Sequence, residues 1–174
     1  MRVFAGIAAT AILIAACGGT AAVSTPTPTP SPTASPTPTP APTVANVFKA
    51  ELKSSNEVPA ITGPEATCSG AATVTFTSTT AKFDVAITGC PATTAINIGH
   101  IHEGATGVNG AVKISTGLVA GDLTLTGGGV TFTRTATADA ALISTIMANP
   151  AGYYVNFHST AFPAGVIRGQ LVKA

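Results

Sequence analysis

The sequence predicts an all-β domain, an immunoglobulin-like sandwich or Greek-key barrel with one short helix, and three observations lead there. From Val47 onward, short runs alternate apolar residues with Thr, Lys or Asp, the period of two that half-buried strands show. Turn residues recur about every ten positions between these runs. Only one window carries apolar residues at helical spacing.

The pairing of elements starts with Thr73-Val74-Thr75-Phe76-Thr77 and Lys82-Phe83-Asp84-Val85-Ala86-Ile87, two alternating runs joined through Ser78-Thr79-Thr80 as a hairpin. Further strands are expected at Val47 to Leu52, Ala95 to His102, Val112 to Ser115, Asp122 to Leu125, Val130 to Thr133, Tyr153 to His158 and Val166 to Val172, with a turn at Gly127-Gly128-Gly129. The helix is expected over residues 139–148, where Leu142, Ile143, Ile146 and Met147 share a face. Thr137 or Asp139 can cap its start and Asn149-Pro150 ends it.

Upstream of the domain, residues 1–17 read as a processing segment. Arg2 supplies a positive start, Val3 to Leu13 a short apolar stretch, and Ile14-Ala15-Ala16-Cys17 resembles a bacterial lipobox. Cys17 is the expected lipidation site. More than one acyl chain there would anchor stably, whereas a single chain binds only marginally. The expected location is therefore the extracytoplasmic face of a cell membrane or outer membrane. Residues 18–46 form a Thr/Pro-rich linker. Its core, 24–43, carries no charge and alternates Pro, which forbids helix and sheet ladders and favours an extended spacer. At about 3.1 Å per residue it could reach roughly 60 Å, and its composition is also that of O-glycosylated stalks. The domain occupies residues 47–174.

Composition excludes several functions. The chain is 45% hydrophobic and 9% charged, with a mean hydropathy of +0.44, yet no run reaches the roughly 20 apolar residues that span a bilayer. Net charge is +1, and without Arg2 the remaining Lys/Arg and Asp/Glu balance. The scattered basic residues make no electrostatic footprint for nucleic acid, so no nucleic-acid partner is expected.

With Cys17 assigned to lipid, Cys68 and Cys90 remain. They flank the two strands of the expected hairpin, so a structural disulfide in an oxidising compartment is the favoured reading, with free thiols or metal ligation as alternatives. Nothing resembles a CxxC redox pair.

All three histidines fall in two short segments, Gly99-His100-Ile101-His102-Glu103 and Tyr154-Val155-Asn156-Phe157-His158. Residues i and i+2 of a strand share a face, so His100 and His102 project together, and Tyr154, Asn156 and His158 share a face of the second strand. If these strands are neighbours, three imidazoles converge. Three histidines with an open position suit zinc or copper(II). Ile96 and Ile98 lie on the same face as His100 and His102, so the alternative is histidines that hydrogen-bond within a partly apolar face. His-x-His followed by Glu is similar to copper–zinc superoxide dismutases, but no further His completes such a set and dismutase activity is not expected. GxSxG, Walker and HExxH motifs are absent. Glu103 beside the histidines could serve as a general base, though a carboxylate at a loop start is more often solvated. Ser159 adjoins His158 and faces the other way.

Several segments in order, Phe48-Lys-Ala-Glu-Leu52, Ser55-Asn-Glu-Val-Pro59, Gly99-His-Ile-His102, Gly104-Ala-Thr-Gly107, Asn109-Gly110, Tyr153-Tyr-Val-Asn-Phe-His158, Phe162-Pro163 and Ile167-Arg-Gly-Gln-Leu171, together resemble a CHRD domain, the module of chordin-type proteins that also occurs in bacterial exported proteins. The resemblance covers essentially residues 47–173. It departs at Ala111, where the family usually has Pro, and at Val166, where it often has Glu. The resemblance implies a compact immunoglobulin-like or barrel fold and, by analogy with growth-factor binding by chordin, a non-enzymatic binding role toward an unknown extracellular or envelope protein ligand. Glu57 and Arg168, isolated charges in a chain poor in charge, are expected to pair and tie the first strand region to the last. The functional expectation is a membrane-anchored extracytoplasmic binding module, with copper or zinc binding by His100, His102 and His158 as the alternative.

Overall fold

A computed structural model describes residues 46–174; the leader, Cys17 and most of the linker lie outside the described residues. Among the described residues, nine strands and one α-helix follow in chain order. The strands are β1 (Asn46–Lys53), β2 (Ser69–Phe76), β3 (Thr80–Thr88), β4 (Ile96–Glu103), β5 (Val112–Ser115), β6 (Val130–Thr137), β7 (Tyr153–Ser159), β8 (Ile167–Gln170) and β9 (Val172–Lys173), and the helix α1 (Ala140–Ala148) lies between β6 and β7.

All strand pairs are antiparallel and form one sheet in the order β5-β4-β7-β8-β1-β2-β3-β6, with β9 beside β1. The sheet twists and curls into a nearly closed barrel. Phe132 of β6, at one end of the strand order, packs edge-to-face on Phe157 of β7 with ring centroids 5.7 Å apart.

Alternation fills the interior. In β3, Ala81, Phe83, Val85 and Ile87 are buried while Lys82 and Asp84 point outward and pair at 2.7 Å. Phe48, Leu52, Val74, Phe76, Ile101, Val155, Phe157 and Ile167 complete the main core. Each such large side chain contributes about 1.5–3 kcal/mol on burial. Helix α1 begins at Asp139, whose carboxylate accepts from the Ala141 and Leu142 amides at 2.9 and 3.1 Å, and it buries Ile143 and Ile146 in the same core. Cys68 and Cys90 form a disulfide across the open end of the β2–β3 hairpin.

Two expected strands come out differently. Asp122 to Leu125 is loop: Leu125 is buried, but the Asp122 carboxylate accepts from the Val119 amide at 3.1 Å and pairs with Arg134 at 3.1 Å. The apolar side chains there pin a crossing between the strands at the two ends of the sheet, so their alternation reflects anchoring to the core rather than ladder pairing. The expected strand Val166 to Val172 divides at Leu171. Residues Ile167–Gln170 pair mainly with β7, whereas Val172 and Lys173 pair with β1. Leu171 turns into the core between them, its amide donating to the Tyr153 carbonyl at 3.0 Å.

Candidate metal centre

The site lies on the outer face of β4, β7 and β8. Strands β4 and β7 are neighbours, with His100 opposite Asn156, His102 opposite Tyr154 and Ile98 opposite His158. A bulge at Asn97 sets which side chains face out. The register passes from Ile96↔Ser159 to Ile98↔His158, so one extra residue reverses the alternation. The face expected to carry Ile96, Ile98, His100 and His102 together is thereby corrected. Ile96 enters the core at 1% exposure, while Ile98, 37% exposed, joins the histidines outside. Gly99 then faces in, where any side chain would strike the Phe157 ring at 2.4 Å. Phe157 fills that space, so the bulge, the glycine and the aromatic ring together push the histidines outward.

The three histidines converge. One ligating nitrogen from each of His100, His102 and His158 lies within 4.8 Å of the others, and His100 Nδ1 is 3.2 Å from His158 Nε2. Two nitrogens bound at 2.0–2.1 Å to one tetrahedral ion stand about 3.3–3.4 Å apart, so that pair already has nearly the required spacing. His102 and His158 are buried and His100 is half-buried.

Backbone carbonyls set the tautomers. A carbonyl only accepts, so His102 Nδ1–H donates to Gly110 O at 2.9 Å and His158 Nδ1–H donates to Pro163 O at 2.9 Å. Each neutral ring then presents a lone pair on Nε2. Among the described residues, His102 Nε2 is buried with no hydrogen-bond partner. This outer arrangement, a ring N–H held by a carbonyl while the other nitrogen faces the centre, is the one that orients metal-ligating histidines. His100 can place its lone pair on Nδ1 by carrying its proton on Nε2.

Burial disfavours the charged form of all three rings. Burial is the main cause of lowered pKa in each; for His100 the neighbouring His158 and His102 add to it and bring the value to about 4. For His102 burial outweighs the Gly110 hydrogen bond, and Arg168 lowers it further. For His158 burial outweighs the Pro163 hydrogen bond. Protons therefore compete weakly for these nitrogens near neutral pH.

The expected partners of the cluster are placed as follows. Tyr154 stacks on His102, with ring centroids 5.0 Å apart and planes within 8°, and its hydroxyl accepts from the Gly110 amide at 3.3 Å. Glu103 lies apart from the cluster, in an exposed ion pair with Lys113 at 2.6 Å. Ser159 is buried and donates to Glu65 at 2.5 Å. Glu57 and Arg168 are both buried on this side of the barrel but do not form a contact ion pair. Among the described residues the ion pairs join Lys53–Glu51, Lys82–Asp84, Lys113–Glu103 and Arg134–Asp122. Arg168 is drawn the other way: its guanidinium lies 3.7 Å over the Tyr154 ring and donates to Asn109 Oδ1 at 2.9 Å and Val108 O at 3.0 Å. Glu57 Oε1 is left buried with no hydrogen-bond partner among the described residues. Burial raises the Glu57 pKa to about 7 even though Arg168 opposes the shift.

Sequence reading missed the two carbonyls that hold the rings and the stack of Arg168 on Tyr154. Main-chain acceptors carry no residue signature. The nearest signal was Asn109-Gly110, a turn dipeptide eight residues after His102.

Fold and site together define a class: an all-β barrel carrying a three-histidine cluster on its outer face. The CHRD domain family model matches residues 48–171, and the chain belongs to the CHRD family. No curated protein and no solved structure matches the chain.

Proposed function

We propose that this protein is a non-enzymatic extracytoplasmic binding module whose ligand is a divalent transition metal, zinc or copper, held by His100, His102 and His158. The observation that carries this is the buried Nε2 of His102, without a hydrogen-bond partner among the described residues, in a cluster where one nitrogen from each of the three rings lies within 4.8 Å of the others. A buried acceptor with no partner costs about 1–3 kcal/mol, and an ion would convert that cost into a bond. All-imidazole ligation without thiolate suits zinc or copper(II) rather than calcium or magnesium, which take oxygen donors. Three neutral ligands leave the ion its full charge and a further coordination position. In the same reading the lipobox-like Ile14-Ala15-Ala16-Cys17 supports a lipid anchor, and the Thr/Pro-rich linker holds the domain away from the membrane.

The test is metal content after loading with zinc or copper(II) and exhaustive dialysis. One equivalent per chain is expected, falling at least 100-fold in affinity for any single His→Ala variant. Retention of a full equivalent by the triple His→Ala variant, or none by the wild type, would overturn the proposal.

A further inference from the structure

We propose that Arg168, which touches none of the three histidines by hydrogen bond, is the positioning residue of this centre, and the inference rests on the metal-binding reading above. Arg168 is 2% exposed and stands on β8, opposite Asn156 of β7. Its guanidinium reaches over the segment 104–110 and fastens it at three points: Asn109 Oδ1 at 2.9 Å, Val108 O at 3.0 Å and Ala105 O at 3.5 Å. Gln170, two residues on, holds the start of the same segment through the Gly104 carbonyl at 2.8 Å. The far end of the segment is the Gly110 carbonyl that accepts from His102 Nδ1.

Gly110 has little freedom of its own. A side chain there would meet the Glu103 carbonyl at 1.5 Å, so its peptide lies tight against the strand that bears His102. The Arg168 guanidinium also sits over the Tyr154 ring, and Tyr154 stacks on His102. One guanidinium thus braces the ring of His102 in two ways, through the segment that accepts its N–H and through the aromatic ring beside it. Attraction to the ion cannot be the reason for an arginine here, because a fixed positive charge beside the centre repels a second cation. What a guanidinium offers is a planar fork that can bind several acceptors while stacking.

The prediction has two readouts. In the metal-free domain, nitrogen-15 NMR should find His102 as the Nδ1–H tautomer. In Asn109→Ala and Arg168→Lys the two tautomers should mix, because the ammonium of lysine can neither span the acceptors nor lie flat on Tyr154. Zinc affinity, measured by competition with a chromophoric chelator, should fall tenfold to a hundredfold in both variants, the range for lost outer support of a ligand. Asn109 is exposed, so its variant carries the test even where the buried Arg168 variant fails to fold. Wild-type tautomer and affinity in Asn109→Ala and in folded Arg168→Lys would overturn the inference. So would a fall in affinity with the tautomer unchanged, since the loss would then not come through the Gly110 contact that fixes the ring of His102. Failure of the metal reading is separately visible: the wild type would take up no zinc, while the tautomer experiment still reads the bracing.

Discussion

Glu57 offers a perturbation whose sign separates two accounts of the barrel's outer face. The Glu57 pKa is raised from 4.5 to about 7, by burial first, with Arg168 opposing. A carboxyl with a raised folded-state pKa favours folding when protonated. Its contribution is fully present below pH 4.5 and is lost as pH rises through about 7. At pH 8 the folded state therefore carries a buried carboxylate that the unfolded chain would hydrate. Glu57→Gln keeps the shape and removes that charge. The shift sets a ceiling of about 3 kcal/mol at roughly 1.4 kcal/mol per unit. Glu57 also lines an open cleft of about 280 Å³, and water there screens the charge, so about 1–3 kcal/mol is expected. For a domain of this size that is roughly 4–11 °C in melting temperature. Thermal melts of wild type and Glu57→Gln across pH 4 to 8 supply the assay. The variant should melt higher than wild type at pH 8, and the gap should close toward pH 4. A variant that loses stability at pH 8 and not at pH 4 would mean that ionised Glu57 pairs productively with Arg168, and would refute the reasoning.

Other expectations follow from the same geometry. Closing a loop of sequence separation 22 between Cys68 and Cys90 stabilises by about 3 kcal/mol in the chain-entropy model; reduction should lower the melting temperature by roughly 10 °C, and an unchanged melt on full reduction would contradict this. The lowered histidine pKa values give the opposite pH sign from Glu57. The unfolded chain takes up protons below 6.5 before the folded one does, His100 only near 4, so stability falls as pH drops through that window. In the Glu57→Gln background, metal-free melts should show this loss, and His100→Ala should reduce it. Asp139→Ala removes both capping bonds of α1 and should cost about 1 kcal/mol, read as a lower urea midpoint with an unchanged slope. Cys17→Ser should release the protein from membranes; continued fractionation with membranes would remove the lipid anchor from the account.

How far the sequence could be read depended on whether the information was local. Period-two alternation in Thr73–Thr77 and Lys82–Ile87, the Asp139 cap and the Asn149-Pro150 stop are short-range signals, and each corresponds to an observed element. The shared face of His100 and His102 was also legible, since it needs only strand geometry. Sheet order was not, because β4 finds β7 and β1 finds β8 across long stretches of chain. The bulge at Asn97 has no composition signature, so strand alternation alone puts Ile96 with the histidines when it belongs to the core. The Asp122–Leu125 loop shows the converse error: alternation marked anchoring to the core without ladder pairing. Composition alone presents Arg168 as a charge in need of a charge. Its partners are an amide, carbonyl oxygens and an aromatic ring, none of which a search for opposite charges would find.

X-ray absorption of the zinc-loaded domain reads the three-histidine centre itself, because it counts the ligands and measures their distances. Three imidazole nitrogens are expected at about 2.0–2.1 Å, with the imidazole scattering pattern lost in the triple His→Ala variant. Zinc surrounded by oxygen ligands, with no imidazole scattering in the wild type, would contradict this.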